Sequence, residues 1–266
     1  MLPRSLLVIT SALAVASASP VGKRCDASEV TSTSAVTAAT ATTAADDGST
    51  STASPTLPST GGTSELPAAN GTLVAVAVGH GIQNYTCSAA GVSATSIGAL
   101  AVLYDITSIY SSLSSDEQDQ LPISVLRTTD LPLNLAGDPD NEYAADAADP
   151  WKADADITVD GVDEPLSVLG HHFFDAALTP TFDLYNADDL LFKGAKLNGV
   201  KAPASADPGL LNTSAVDWLQ LGDKGASIGL TEVYRVVTAG GGALACEEAG
   251  QVFSVPYASQ YWFYDS

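Results

Sequence analysis

Beyond residue 66 the chain runs in short apolar stretches broken by Gly, Pro, Asn and Asp. Residues 72–78 form a β-rich run, and Gly79, His80 and Gly81 are expected to turn it into a second strand over 82–87. Further strands are expected over 166–174, 181–185, 189–192, 216–221, 228–238 and 252–264. Many short strands with turn residues between them predict a mostly β domain, an antiparallel β-sandwich or barrel. One segment departs from this pattern. Ala99, Leu103, Ile106, Tyr110 and Leu113 recur at helical spacing, with Val102 and Ile109 beside them and Ser96 able to cap the start. The spacing predicts one amphipathic helix over 97–114. Residues 138–164 hold ten carboxylates and one lysine, which reads as a solvated loop.

The pattern before residue 66 is different. Arg4 precedes an apolar run over 6–15, and Ala16, Ser17 and Ala18 make a small-x-small cleavage site. This is the layout of a secretory signal peptide over 1–18, and the run is too short to span a membrane. Lys23 and Arg24 form a dibasic processing site, after which the chain would begin at Cys25. Residues 19–65 are Ser, Thr and Ala-rich with few large apolar side chains, so they cannot bury enough surface to offset ordering entropy. A propeptide or disordered linker, with the character of an O-glycosylated stalk, is expected there. The single β-rich domain then occupies 66–266, long enough for one well-buried core.

Charge narrows the partners. The full chain has 10 basic and 31 acidic residues, and Arg4, Lys23 and Arg24 all lie in the segment expected to be removed. So acidic a chain repels nucleic acid and anionic membrane surfaces. No later stretch is apolar for long enough to be a transmembrane helix. Asn70, Asn84 and Asn212 each begin a glycosylation sequon, meaningful if the chain is exported. In an oxidising compartment Cys87 and Cys246, both in the domain, are expected to pair. Cys25 is left to pair with a second chain, be capped, or compete for a domain cysteine.

The chemistry offers few sharp motifs. His171 and His172 are adjacent on an expected strand and point to opposite faces, so one metal ion cannot easily take both. One histidine in the core and one exposed is the simpler expectation, and no metal is assigned. The acidic loop lacks EF-hand spacing. Gly91-Val-Ser93-Ala-Thr95 lacks the last glycine of a nucleophile elbow. Gly240, Gly241 and Gly242 follow a strand, but too little chain remains for a βαβ unit, so a glycine-rich hairpin connection is expected. No cofactor is assigned. On period-2 phasing His172 shares a face with Val168, Gly170 and Phe174, and Arg235 stands with Thr231, Val233 and Val237. Two arrangements fit that arginine. Either Arg235 and one of the two histidines line a polar pocket with Tyr85 and Trp218 as its walls, or Arg235 forms an internal pair with a carboxylate.

Several strings together carry a resemblance. They are Gly81-Ile-Gln83-Asn-Tyr85-Thr-Cys87, Gly98-Ala-Leu-Ala-Val-Leu103-Tyr104-Asp105, Gly170-His171-His172-Phe173 and Thr179-Pro180-Thr181-Phe182. They continue with Val216-Asp-Trp218-Leu219, Val233-Tyr234-Arg235-Val236, Cys246 and Val255-Pro256-Tyr257. In this order they resemble a fungal and bacterial secreted family of unknown function. The resemblance implies a single β-rich domain and a Cys87–Cys246 bridge, and no known activity. Members are often labelled malate dehydrogenase. The residues do not support that label here, because an N-terminal dinucleotide-binding glycine loop is missing and Arg127 and Arg235 are the only arginines after residue 24. The expected role is a non-catalytic extracellular or cell-wall-associated module that binds a glycan, a wall component or a small ligand. The alternative is an extracellular hydrolase.

Overall fold

The computed structural model describes residues 54–266. The expected signal peptide, the dibasic site, Cys25 and the linker as far as residue 53 lie outside the described residues. Eight strands follow one another around a closed barrel in chain order: β1 (Thr72–Thr86), β2 (Thr95–Asp105), β3 (Val168–Phe174), β4 (Pro180–Leu184), β5 (Leu190–Val200), β6 (Trp218–Asp223), β7 (Glu232–Gly240) and β8 (Val252–Asp265). Every neighbouring pair is antiparallel, and β8 closes on β1 with Val76 opposite Trp262 and Gly81 opposite Tyr257. Closure pairs each strand on both sides and removes the exposed edges of an open sheet.

Two apolar layers flank the wall. Inside, the small residues Ala75, Ala77, Ala99 and Ala101 face the rings of Phe182, Phe192, Tyr257, Tyr261 and Phe263. Outside, Val76, Val78, Val102, Tyr104, Tyr234 and Trp262 are covered by helices α1 (Thr107–Tyr110) and α2 (Ser115–Thr128) and by the chain that follows. This second layer explains the first correction. Most of the helix expected over 97–114 is not formed: residues 95–105 are β2, and only the short α1 falls within that span. In that strand Ala99, Ala101 and Leu103 fill the barrel, while Val102 and Tyr104 pack beneath the outer cover. A strand buried on both faces has no polar alternation, and its continuous apolar run imitates a helical stripe.

The true helix begins at Ser114, whose side chain accepts from the Glu117 amide while Glu117 bonds back to the Ser114 amide, a reciprocal capping box. Pro122 sits inside α2 and has no N–H for the Gln118 carbonyl four residues earlier. That carbonyl accepts instead from Gln260 Nε2 of β8 at 2.7 Å, so the gap left by proline becomes a tie between helix and barrel.

The turn expected at Gly79–Gly81 is also absent, because β1 runs straight through it. These glycines answer to close packing. A Cβ on Gly81 would lie 1.8 Å from the Leu100 carbonyl oxygen, and one on Gly79 would lie 2.6 Å from the Tyr261 ring. The acidic stretch keeps most carboxylates outward, but it is more than a solvated loop. Val159 is buried in the outer layer, and Trp151 and Ile157 pack against it. The end of the linker is likewise engaged: Leu57, Leu66 and Ala69 pack on the outer layer, and Tyr234 Oη donates to the Pro67 carbonyl at 3.1 Å. No helix among the described residues is long and apolar enough to cross a membrane.

Candidate functional site at the barrel mouth

The rings that fill the barrel do not extend to the end where β1 turns into β2, β3 into β4, β5 into β6 and β7 into β8. A cavity of about 830 Å³ opens there. Its apolar wall is Tyr85, Phe174, Phe182, Leu219, Leu221 and Tyr261, and its polar groups include Gln83, His172, Lys196, Lys201, Asp217 and Arg235. The Cys87–Cys246 disulfide joins the β1–β2 connection to the β7–β8 connection beside this mouth, with Cα atoms 5.6 Å apart. Tyr85 and Phe253 stack against each other at 5.4 Å in the same small cluster. Tyr85 Oη donates to the Gly241 carbonyl at 2.6 Å. Together the bridge and the tyrosine fasten two rim loops to each other.

His172 is 4% exposed and faces inward, its ring stacked on Phe182 at 4.0 Å and 9°. Nδ1 lies 2.9 Å from the Thr181 carbonyl oxygen, which can only accept, so Nδ1 carries the hydrogen and Nε2 keeps its lone pair. Burial pulls its pKa down to about 3; the Thr181 bond opposes this and the Arg235 charge adds to it. His172 is therefore a neutral ring at ordinary pH. Arg235 is half-buried on β7, opposite Leu219 of β6. Its Nε and Nη2 donate to the Asp217 main-chain carbonyl at 3.3 and 2.9 Å. Among the described residues it has no carboxylate within ion-pair distance. The internal Arg–carboxylate pair is not what this structure contains. Asp217 gives its carboxylate to Lys201 at 3.0 Å. Burial raises the Tyr85 phenol, and the Arg235 charge partly offsets this.

Tyr85, His172 and Arg235 thus converge on one cavity, whereas His171 and Trp218 do not belong to it. His171 points outward, stacked on Trp151 at 4.0 Å, with Nε2 3.1 Å from Tyr185 Oη and 3.3 Å from Asp154 Oδ1. Burial lowers its pKa against the pull of Asp154. Trp218 is 4% exposed in the outer layer, one residue out of phase with the inward Leu219. A register shift at Leu103/Tyr104 also moves Val168 to the outer layer, away from the face of His172. Gln83, Lys196, Lys201 and Asp217 were not expected at the site. Period-2 phasing from Tyr85 along β1 does reach Gln83, but Lys196 lies beside a shift in the β5–β6 register and Lys201 and Asp217 stand at strand ends.

Of the sequons, Asn70 and Asn212 are exposed. Asn84 is half-buried in β1, with Oδ1 accepting from Ser254 Oγ at 2.7 Å. Among the described residues no group of three or more His, Cys, Asp or Glu is placed to hold a metal ion. The glycine run that ends β7 leads into the loop before β8, with Gly240 and Gly241 at φ 65° and 83°. No curated protein and no solved structure matches the chain. Residues 67–265, which span the whole barrel, match the family described as protein of unknown function (DUF3455), and the chain belongs to that family.

Proposed function

We propose that this chain is an exported, non-catalytic binding module that takes a small ligand in the mouth of its barrel. The observation that carries this reading is the partial filling of the lumen. An eight-stranded barrel has an interior just wide enough to be packed with side chains or to hold one small ligand. Here the ring cluster occupies one part, and the remainder is a cavity walled by aromatic and aliphatic side chains with a few polar groups, the usual make-up of a ligand site. The rim is fastened by the Cys87–Cys246 bridge, so the cavity is preformed and little ordering cost falls on binding. Asp217 is the one carboxylate among the lining residues, and it is bonded to Lys201, so the cavity does not offer the paired carboxylates of a glycoside hydrolase. Export is supported by the leader-like N-terminus together with the disulfide.

The apolar fluorophore N-phenyl-1-naphthylamine tests the cavity. It is expected to brighten saturably, at one site per chain. Ser96→Trp, at an exposed residue on the lining, should fill the mouth and remove that signal without lowering the melting temperature. An undiminished signal in this variant would place the probe elsewhere. Export is checked by N-terminal sequencing of protein recovered from culture medium, which should begin at Ser19 or Cys25.

A further inference from the structure

Charge is distributed unevenly in this molecule. The described residues hold seven of the ten basic side chains, and three of those seven, Lys196, Lys201 and Arg235, lie on the one cavity. The single lining carboxylate, Asp217, cannot neutralise them, since it is engaged with Lys201 alone. His172 is neutral, for the reasons given above. The mouth is thus a cationic spot on a chain whose formal charge is −21. Its most enclosed cation, Arg235, spends two N–H groups on a neutral main-chain oxygen, and Nη1 has no protein acceptor among the described residues. A guanidinium held by a carbonyl is fixed in position but keeps its full charge. An oriented arginine, two further cations on the lining and a wall of rings make up a receptor for a negatively charged head on an apolar body.

We propose that the ligand class of this cavity is a small amphipathic organic anion, its carboxylate-like head held by Arg235 and its apolar body against Phe182, Tyr261 and Leu219. This rests on the barrel-mouth reading above and adds the sign and the chemistry of the ligand. Capture by Arg235 also explains how a chain that repels anions over most of its surface can accept one at the mouth, where the local field has the opposite sign.

Two probes with nearly the same rings separate the two ideas: 1-anilinonaphthalene-8-sulfonate, which is anionic, and N-phenyl-1-naphthylamine, which is neutral. On the full barrel domain the sulfonate should bind about tenfold or more tightly than the amine, the effect of a hydrogen bond to a charged group. Arg235→Met should remove that margin while the neutral probe still binds, which also reports that the cavity is intact. Arg235→Lys should keep part of the margin, losing the fork but not the charge. Decanoate should displace the sulfonate and decanol should not. Equal binding of the two probes, unaffected by Arg235→Met, would overturn the anion assignment and leave the barrel-mouth reading standing. Loss of both probes in Arg235→Met and in Arg235→Lys would overturn it too, because the arginine would then only shape the cavity. Failure of both probes to bind the wild-type domain would remove the barrel-mouth reading and this inference together.

Discussion

Arg235 is held by the backbone of Asp217 and not by its side chain. The guanidinium donates twice to the Asp217 carbonyl oxygen, at 3.3 and 2.9 Å, while the Asp217 carboxylate turns to Lys201 at 3.0 Å. Two charges that are neighbours in the fold are thereby kept from cancelling, and the arginine remains a cation facing a cavity.

A stability measurement follows from this. Arg235→Met removes bonds to one neutral oxygen and strands no carboxylate, so urea denaturation should show a loss of about 1 kcal/mol or less. A loss of about 3–5 kcal/mol, the cost of breaking a buried ion pair, would mean that a hidden acid partners Arg235 in solution.

Stability should also fall on mild acidification. In the folded chain burial holds His80 and His172 neutral, with pKa values pulled to about 3. Once unfolded, both return to about 6.5. The unfolded chain therefore takes up protons first, so the contribution is complete above the unfolded value and is lost as pH drops toward 3. His171, also lowered by burial, acts in the same sense. Between pH 6 and 5 the two buried histidines should cost roughly 2–3 kcal/mol, and His172→Phe should reduce that slope by about one proton. A flat profile over this interval would show that the imidazoles reach solvent.

Barrel closure depends on Gly81. Its missing Cβ is the space occupied by the Leu100 carbonyl oxygen, 1.8 Å from where a methyl would stand. Gly81→Ala must push β1 and β2 apart, and a loss of more than about 3 kcal/mol is expected from chemical denaturation. Gly91→Ala is the contrast. Gly91 has φ 70° and nothing within 4 Å of the added atom, so only backbone strain of about 1–2 kcal/mol applies there.

Glycan mapping bears on export and geometry at once. Asn70 and Asn212 are exposed, whereas the Asn84 side chain is tied to Ser254 within the β1–β8 pairing. Mass spectrometry of peptides from secreted protein should find N-glycan at Asn70 and Asn212 and none at Asn84. A fully occupied Asn84 would show that this part of β1 differs from the strand described.

The parts of the fold legible in sequence were those with one wet face or a clear boundary. β3, β4 and β6 to β8 were placed to within a few residues, because glycine, proline and acidic residues delimit them. β2 was lost because both its faces are covered, and the Gly79–Gly81 turn was inferred where glycine serves a close approach. The helix α2 carries its own local signal in the capping pair Ser114 and Glu117. At the site, alternation separated His171 from His172, but it left open which histidine faces Arg235 and whether that arginine meets a pocket or a carboxylate. It failed for β6, where Trp218, Leu219 and Leu221 are all apolar and nothing local says which face of the strand looks inward. Lys201 and Asp217 belong to the β5–β6 connection and its junction, whose path is set by the whole barrel and not by any local pattern.

The ring cluster that fills the lower lumen has a kinetic consequence. Tyr257 and Tyr261 share a hydrogen bond between their hydroxyls at 2.7 Å, and with Phe182, Phe192 and Phe263 they stopper the barrel from within. The lumen is therefore a cup and not a pipe. Whatever enters must leave past the same lip, so a change confined to that lip, such as reduction of the Cys87–Cys246 staple, should alter arrival and departure rates by similar factors and change residence time more than equilibrium occupancy.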